Sequence, residues 1–188
     1  MIERFDVISQ ALLLLGNVVD YNDNRSRKFQ AANVLLDNTV SAICNDNAYR
    51  FNAVTSLLTS AKNNGLEYVF NLPTDFLGIA TGLTARNRVT SKPVSIQRDM
   101  SYAVPQEYRI EGDNIISNRP ELKINYIRMV KLEDFPLYMK DVLIFNLAVK
   151  CCLAFPEFVD RLGYCEQKYK EARNVVLNKE GLGVVYEH

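Results

Sequence analysis

A change of period constrains this 188-residue chain more than any other feature. Between Tyr68 and Asn118 apolar side chains recur every second residue, whereas on either side they recur every third or fourth. Residues 68–77 alternate into a stop at Pro73, Thr74 and Asp75. Residues 108–118 form two short alternating runs about Glu111, Gly112, Asp113 and Asn114, the chemistry of a β-hairpin. Further runs at 79–83, 94–96 and 122–130 bring the expectation to about five or six strands. The fold class that follows is α+β: a bundle of about four helices carrying an inserted small β-sheet or open barrel.

The flanks supply the helices. Phe5, Ile8, Leu12 and Leu15 stand at helical spacing, with Gly16 placed for a left-handed cap. The polar residues 20–24 offer N-caps for a second helix carrying Phe29, Ala32, Leu36, Val40 and Ile43; 45–47 reads as a turn, and the polar stretch that follows 48–53 and ends at 62–65 as a loop. Asp134 reads as a cap and Pro136 as a first-turn proline for a third helix, in which only Asn146 and Lys150 interrupt an apolar run at 142–155. Such a helix is expected to be buried nearly all round and to lend part of a face to a neighbouring copy. Pro156 breaks it. Phe158, Leu162, Cys165, Tyr169, Ala172 and Val176 then define a last helix that ends near Gly181. The expected division is 1–65 plus 132–178 as helical framework, 66–131 as β-rich insertion and 179–188 as tail.

Composition removes whole classes of function. Hydrophobic residues make up 48% and charged residues 23%, which excludes disorder and implies a folded soluble protein. The 22 basic and 22 acidic residues cancel, leaving no overall field to draw the chain to nucleic acid or an anionic membrane. The N-terminus lacks the basic start of a secretory signal, and no apolar run is long enough to span a bilayer. Cysteines 44, 151, 152 and 165 lack zinc-ligand spacing and fit a reducing compartment. The sole histidine, His188, leaves no internal imidazole for a Ser-His-Asp or Cys-His site. No Gly-rich phosphate loop is present. Neither catalytic residue, metal nor cofactor is therefore expected. Glu133 with Asp134, or Glu111 with Asp113, could serve acid and base roles on a glycan, but their context is that of a helix cap and a hairpin turn.

Two surface features point outward. Leu182, Val184, Val185 and Tyr186 form an apolar tail, read either as a partner contact or as simple disorder. Arg86, Arg88, Lys92 and Arg98 form the one local basic excess, read as a solvated loop or as a surface facing a passing DNA.

The ordered motifs resemble one family, the head-to-tail adaptors, or tail tubular proteins A, of short-tailed bacteriophages. The aromatic residues Tyr68 and Phe70 ahead of Leu72, Pro73, Asp75 and Leu77 are similar to its Leu-Pro-x-Asp-x-Leu element. Tyr108, Ile110, Glu111, Gly112, Ile115, Ser117 and Asn118 resemble its Tyr-x-Ile-Glu-Gly element, with Ser117 where threonine is usual. Leu122 with Tyr126, then Asp134, Phe135, Pro136 and Leu137, continue the match in order across roughly residues 1–178. Gly78 stands where the family often has arginine, and the chain has no tryptophan where one commonly precedes a Phe-Ala pair. The resemblance implies a structural virion protein made in the cytoplasm of a bacterial host and placed at the head-tail junction. About twelve copies would form a ring under a portal protein, above a tail nozzle protein and beside tail fibres. Double-stranded DNA would pass through without sequence-specific contacts. Alternatives from other classes are a soluble bacterial dimeric interaction module and a tail-associated glycan or cell-wall hydrolase.

Overall fold

A computed structural model describes residues 1–19, 26–63, 67–80 and 108–182. The chain divides into two compact units, 1–52 with 129–188 and 53–128. Among its described residues the first contains four α-helices, α1 (Arg4–Leu14), α2 (Arg27–Asp46), α3 (Lys140–Ala154) and α4 (Leu162–Glu180). The second contains seven described strands. The class is α+β, and no closed barrel occurs among the described residues.

α1 ends as its sequence requires: Gly16 takes φ 82, and the Gly16 and Asn17 amides donate to the carbonyls of Leu13 and Leu12. α2 starts at Ser26, whose hydroxyl accepts from the Phe29 amide at 3.2 Å, so the cap follows the expected 20–24 loop rather than lying in it. That loop is outside the described residues. α3 packs against α1, α2 and α4 and exposes no residue between 142 and 152. It is the core helix of its unit, with Phe145, Asn146, Val149 and Lys150 half-buried and Asp141, Leu153 and Ala154 exposed at its ends. Asp134 caps nothing: it sits exposed in a 3-10 turn, Leu132–Asp134, followed by a second, Leu137–Met139, before α3 begins. A residue before proline is held extended, and Phe135 (φ −67, ψ 136) therefore cannot carry a helix from Asp134 into Pro136.

The β unit starts earlier than its alternation suggests. Residues 54–59, expected to be loop, belong to β1 (Ala53–Thr59), paired antiparallel with β7 (Glu121–Arg128) so that Leu58 faces Leu122 and Val54 faces Tyr126. β4 (Phe76–Ile79) pairs with the other edge of β7, giving a three-stranded sheet β1-β7-β4. The second sheet is β2-β3-β6-β5, built from β2 (Lys62–Asn63), β3 (Tyr68–Asn71), β6 (Asn114–Ser117) and β5 (Tyr108–Glu111). Phe70, Ile115, Leu122, Ile124 and Tyr126 form the buried core of the unit, with Val54, Leu58, Tyr68, Leu72 and Phe76 packed around it. The framework thus stops at Asn52 and resumes at Met129, and α4 runs two residues into the segment expected to be tail. The expected strand at 94–96, and 81–83 of the one at 79–83, lie outside the described residues.

Burial sets the alkaline limit of the helical unit. Desolvation pushes the Tyr49 hydroxyl up to about 12 and the Cys151 thiol up to about 12. Raised acids of this kind stabilise the fold fully below their unfolded values, near 9 for the thiol and 10 for the phenol, and lose that contribution as pH climbs toward the folded values. The urea midpoint is expected to fall steadily from about pH 9 to 11. Tyr49→Phe should flatten the upper part of that fall; an unchanged slope would remove Tyr49 from the account.

Candidate assembly interface

The residues that carry the family resemblance meet inside the β unit. The Leu72 amide donates to the Asp113 carbonyl at 2.9 Å, joining the Leu-Pro-x-Asp segment to the hairpin turn. The Pro73 carbonyl accepts from the Phe76 amide at 3.0 Å, closing a turn that directs Asp75 toward β7. There the Asp75 carboxylate accepts from the Tyr126 hydroxyl at 3.1 Å. Burial first, and then this carboxylate, raise the Tyr126 hydroxyl above its ordinary range. Tyr68 packs on the core, and Leu77 sits half-buried where the β4–β7 register shifts. Gly112 takes φ 57 as the first of two turn residues while Asp113 keeps a negative φ, the pattern of a type II′ hairpin. Glu111 pairs with Arg109 at 2.6 Å. Asn118 is exposed, and Pro136, half-buried, opens the second 3-10 turn.

Arg109 is also held by Glu67, through bonds of 2.5 and 2.9 Å. Glu67 is drawn below the usual carboxylate range chiefly by that bond. The three side chains stand beside an open hollow of about 330 Å³ lined by Glu67, Tyr108, Arg109, Ile116, Ser117 and Asn118. Their charges are spent on one another, so the hollow presents no free cation to an anionic ligand. Among the described residues no cluster of histidine, cysteine or carboxylate side chains is arranged to hold a metal. The two carboxylate pairs weighed for glycan chemistry are not set in an enclosed cleft: Glu111, Asp113, Glu133 and Asp134 are all exposed.

In the helical unit, several exposed apolar side chains lie on or beside segment ends, and those ends are tied in pairs. The Arg161 guanidinium reaches the Leu14 carbonyl at 3.4 Å, bringing the start of α4 to the end of α1. Lys28, at the start of α2, pairs with Glu157 at 3.1 Å and lies 4.8 Å over the Phe158 ring, just beyond α3. Leu13, Val18, Leu153, Val159 and Tyr164 project from these ends, with Leu153 68% and Val18 81% exposed. These five side chains are the candidates for a contact surface on this unit.

Leu182 behaves differently from the expected tail. It is half-buried, and its amide donates to the Leu177 carbonyl at 2.7 Å beside Gly181 at φ 73, so it belongs to the helix end. Val184, Val185 and Tyr186, like Arg86, Arg88, Lys92 and Arg98, lie outside the described residues. Sequence reasoning missed the side chain that ties down this end of α4. The Glu180 carboxylate, 3% exposed, accepts from the Arg50 amide at 2.8 Å and from the Tyr138 hydroxyl, while Lys179 covers the Tyr138 ring at 4.6 Å. The sign of it was present, since Glu180 falls four residues after Val176 on the stripe that includes Cys165, Tyr169 and Ala172.

Compared with models of known protein families and with curated protein sequences, the chain matches none. No helix among the described residues is long and apolar enough to cross a membrane.

Proposed function

We propose that the chain is a structural adaptor of a phage virion, assembling as a ring of about twelve copies between a portal protein and a tail nozzle protein. Tail fibres attach at its side, and double-stranded DNA passes through its opening. One observation carries the reading: three sequence elements chosen for their resemblance to the adaptors, 72–75, 111–113 and 122–126, bond to one another through Leu72 with Asp113 and Asp75 with Tyr126. One backbone bond and one side-chain bond thus tie these elements together within the β unit, as suits a building block. A ring needs a heterologous contact, one patch meeting a different patch on the next copy until the rotation closes. The apolar group of Leu13, Val18, Leu153, Val159 and Tyr164 is the surface we assign to one half of that contact.

The tail beyond α4 is the second docking element in this reading. Its test must spare Glu180: cutting after Lys179 would remove a buried carboxylate and unfold the end of the helix, whereas cutting after Leu182 leaves the lock intact. The chain ending at Leu182 should keep its thermal midpoint yet bind the portal of the same particle at least about tenfold more weakly in co-sedimentation, a loss of about 1.4 kcal/mol. Undiminished binding would remove the tail from the interface. A dimer that ignores the portal altogether would favour the interaction-module alternative.

A further inference from the structure

The strand β5 is an edge among the described strands, and all four of its residues are exposed. Tyr108 and Ile110 lie opposite Ser117 and Ile115, on the side of the sheet that carries the buried core, yet they are 37% and 43% exposed. An edge strand with an uncovered apolar face is a template for strand addition unless a charge guards it. Here the strand's two charges, Arg109 and Glu111, are of opposite sign and pair with each other, so β5 itself carries no net charge. The other described edges are poorer templates. β4 carries a register shift, β2 has two residues, and β1 has no charged residue with which to fix a register.

We propose that β5 pairs antiparallel with β5 of a second copy about a two-fold axis through Ile110. Side-chain parity and charge together select that register. Residues directly opposite must share a face, so Tyr108 and Ile110 can meet only even-numbered partners and Arg109 and Glu111 only odd-numbered ones. Centring the axis on Arg109 or on Glu111 sets like charges against each other, which is destabilising. Centring it on Ile110 places Ile110 against Ile110, and Arg109 against Glu111 twice. It also brings each Tyr108 to Gly112 of the other copy, where there is open space for it. The backbone agrees. A two-residue hairpin closes on a hydrogen-bonded pair at Glu111 and Asn114, so the amides and carbonyls of Tyr108 and Ile110 point away from β6, toward the added strand. This contact is separate from the ring contact above and describes the unassembled chain.

Ile110→Cys tests it, because on the axis the two Cα atoms stand about 5.5 Å apart, within disulfide reach, and all four native cysteines are buried. Mild oxidation by glutathione disulfide should give a covalent dimer at least about tenfold faster than for Tyr108→Cys, whose symmetry mate is about 13 Å away. In sedimentation of the full chain, Arg109→Glu should raise the dimer dissociation constant about tenfold or more, and adding Glu111→Arg to it should restore dimerisation. Equal crosslinking at 108 and 110, or failure of the exchanged pair to restore the dimer, overturns the proposal. Loss of the dimer on truncation after Leu182 would also overturn it, because the strand would then have a tail as its occupant. The adaptor reading stands or falls separately: crosslinking of the Ile110→Cys chain, together with a wild-type chain that never loads on the portal, refutes that reading alone.

Discussion

Replacing Phe70 with alanine should cost about 3 to 5 kcal/mol, the largest single effect expected in the β unit. Phe70 is fully buried on β3, where it touches a core shared with Ile115 on β6 and Leu122, Ile124 and Tyr126 on β7. Removing the ring leaves a cavity bounded by both sheets. The unit has only seven described strands, six of them seven residues or shorter, so it has little other core with which to refill the space. With no tryptophan in the chain, the loss is best read by far-ultraviolet circular dichroism and tyrosine fluorescence in a urea series. A cost under about 1 kcal/mol would mean that the two sheets do not share the core described here.

Glu180→Ala is expected to destabilise the helical unit by about 3 kcal/mol. The carboxylate accepts the Arg50 amide and the Tyr138 hydroxyl at a buried site, and without it both donors are left unsatisfied. The Arg50 guanidinium contributes little to this figure, because it stands 3.9 Å away and its side chain is 72% exposed. Burial, and then the hydrogen bond to Glu180, lift the Tyr138 hydroxyl well above its ordinary range. The Glu180→Gln chain keeps an acceptor and should recover more than half of the lost stability. The thermal midpoint, falling by about 2 to 4 °C per kcal/mol in a chain of this length, reads both variants. Equal stability of Glu180→Ala and wild type would make the buried carboxylate incidental.

The sequence made some elements plain and hid others for physical reasons. Short apolar runs bounded by turn residues located β3, β5, β6 and β7, of which β7 alternates most cleanly between buried and open positions. β1 escaped because its alternation is broken: Ser56 stands opposite Ile124 on the inner face, while Leu57 points outward and is 61% exposed. The start of α3 was misplaced because Asp134 and Pro136 imitate a cap and a first turn, while the proline itself forces Phe135 to stay extended. Contacts between distant residues, Asp75 with Tyr126 or Arg109 with Glu67, leave no periodic trace in a single sequence. The apolar group at the end of the helical unit was equally invisible. Its members come from α1, the segment after it, α3, the turn after Pro156 and α4, and each alone reads as an unremarkable surface residue.

An electron cryomicroscopy reconstruction of the chain bound to the portal of its own particle measures the central claim most directly. The account expects a closed ring of about twelve copies beneath the portal, with Leu153 and Val159 of each copy buried against a different face of the next. Copies attached singly, or paired by a two-fold contact with those side chains still in water, would contradict it.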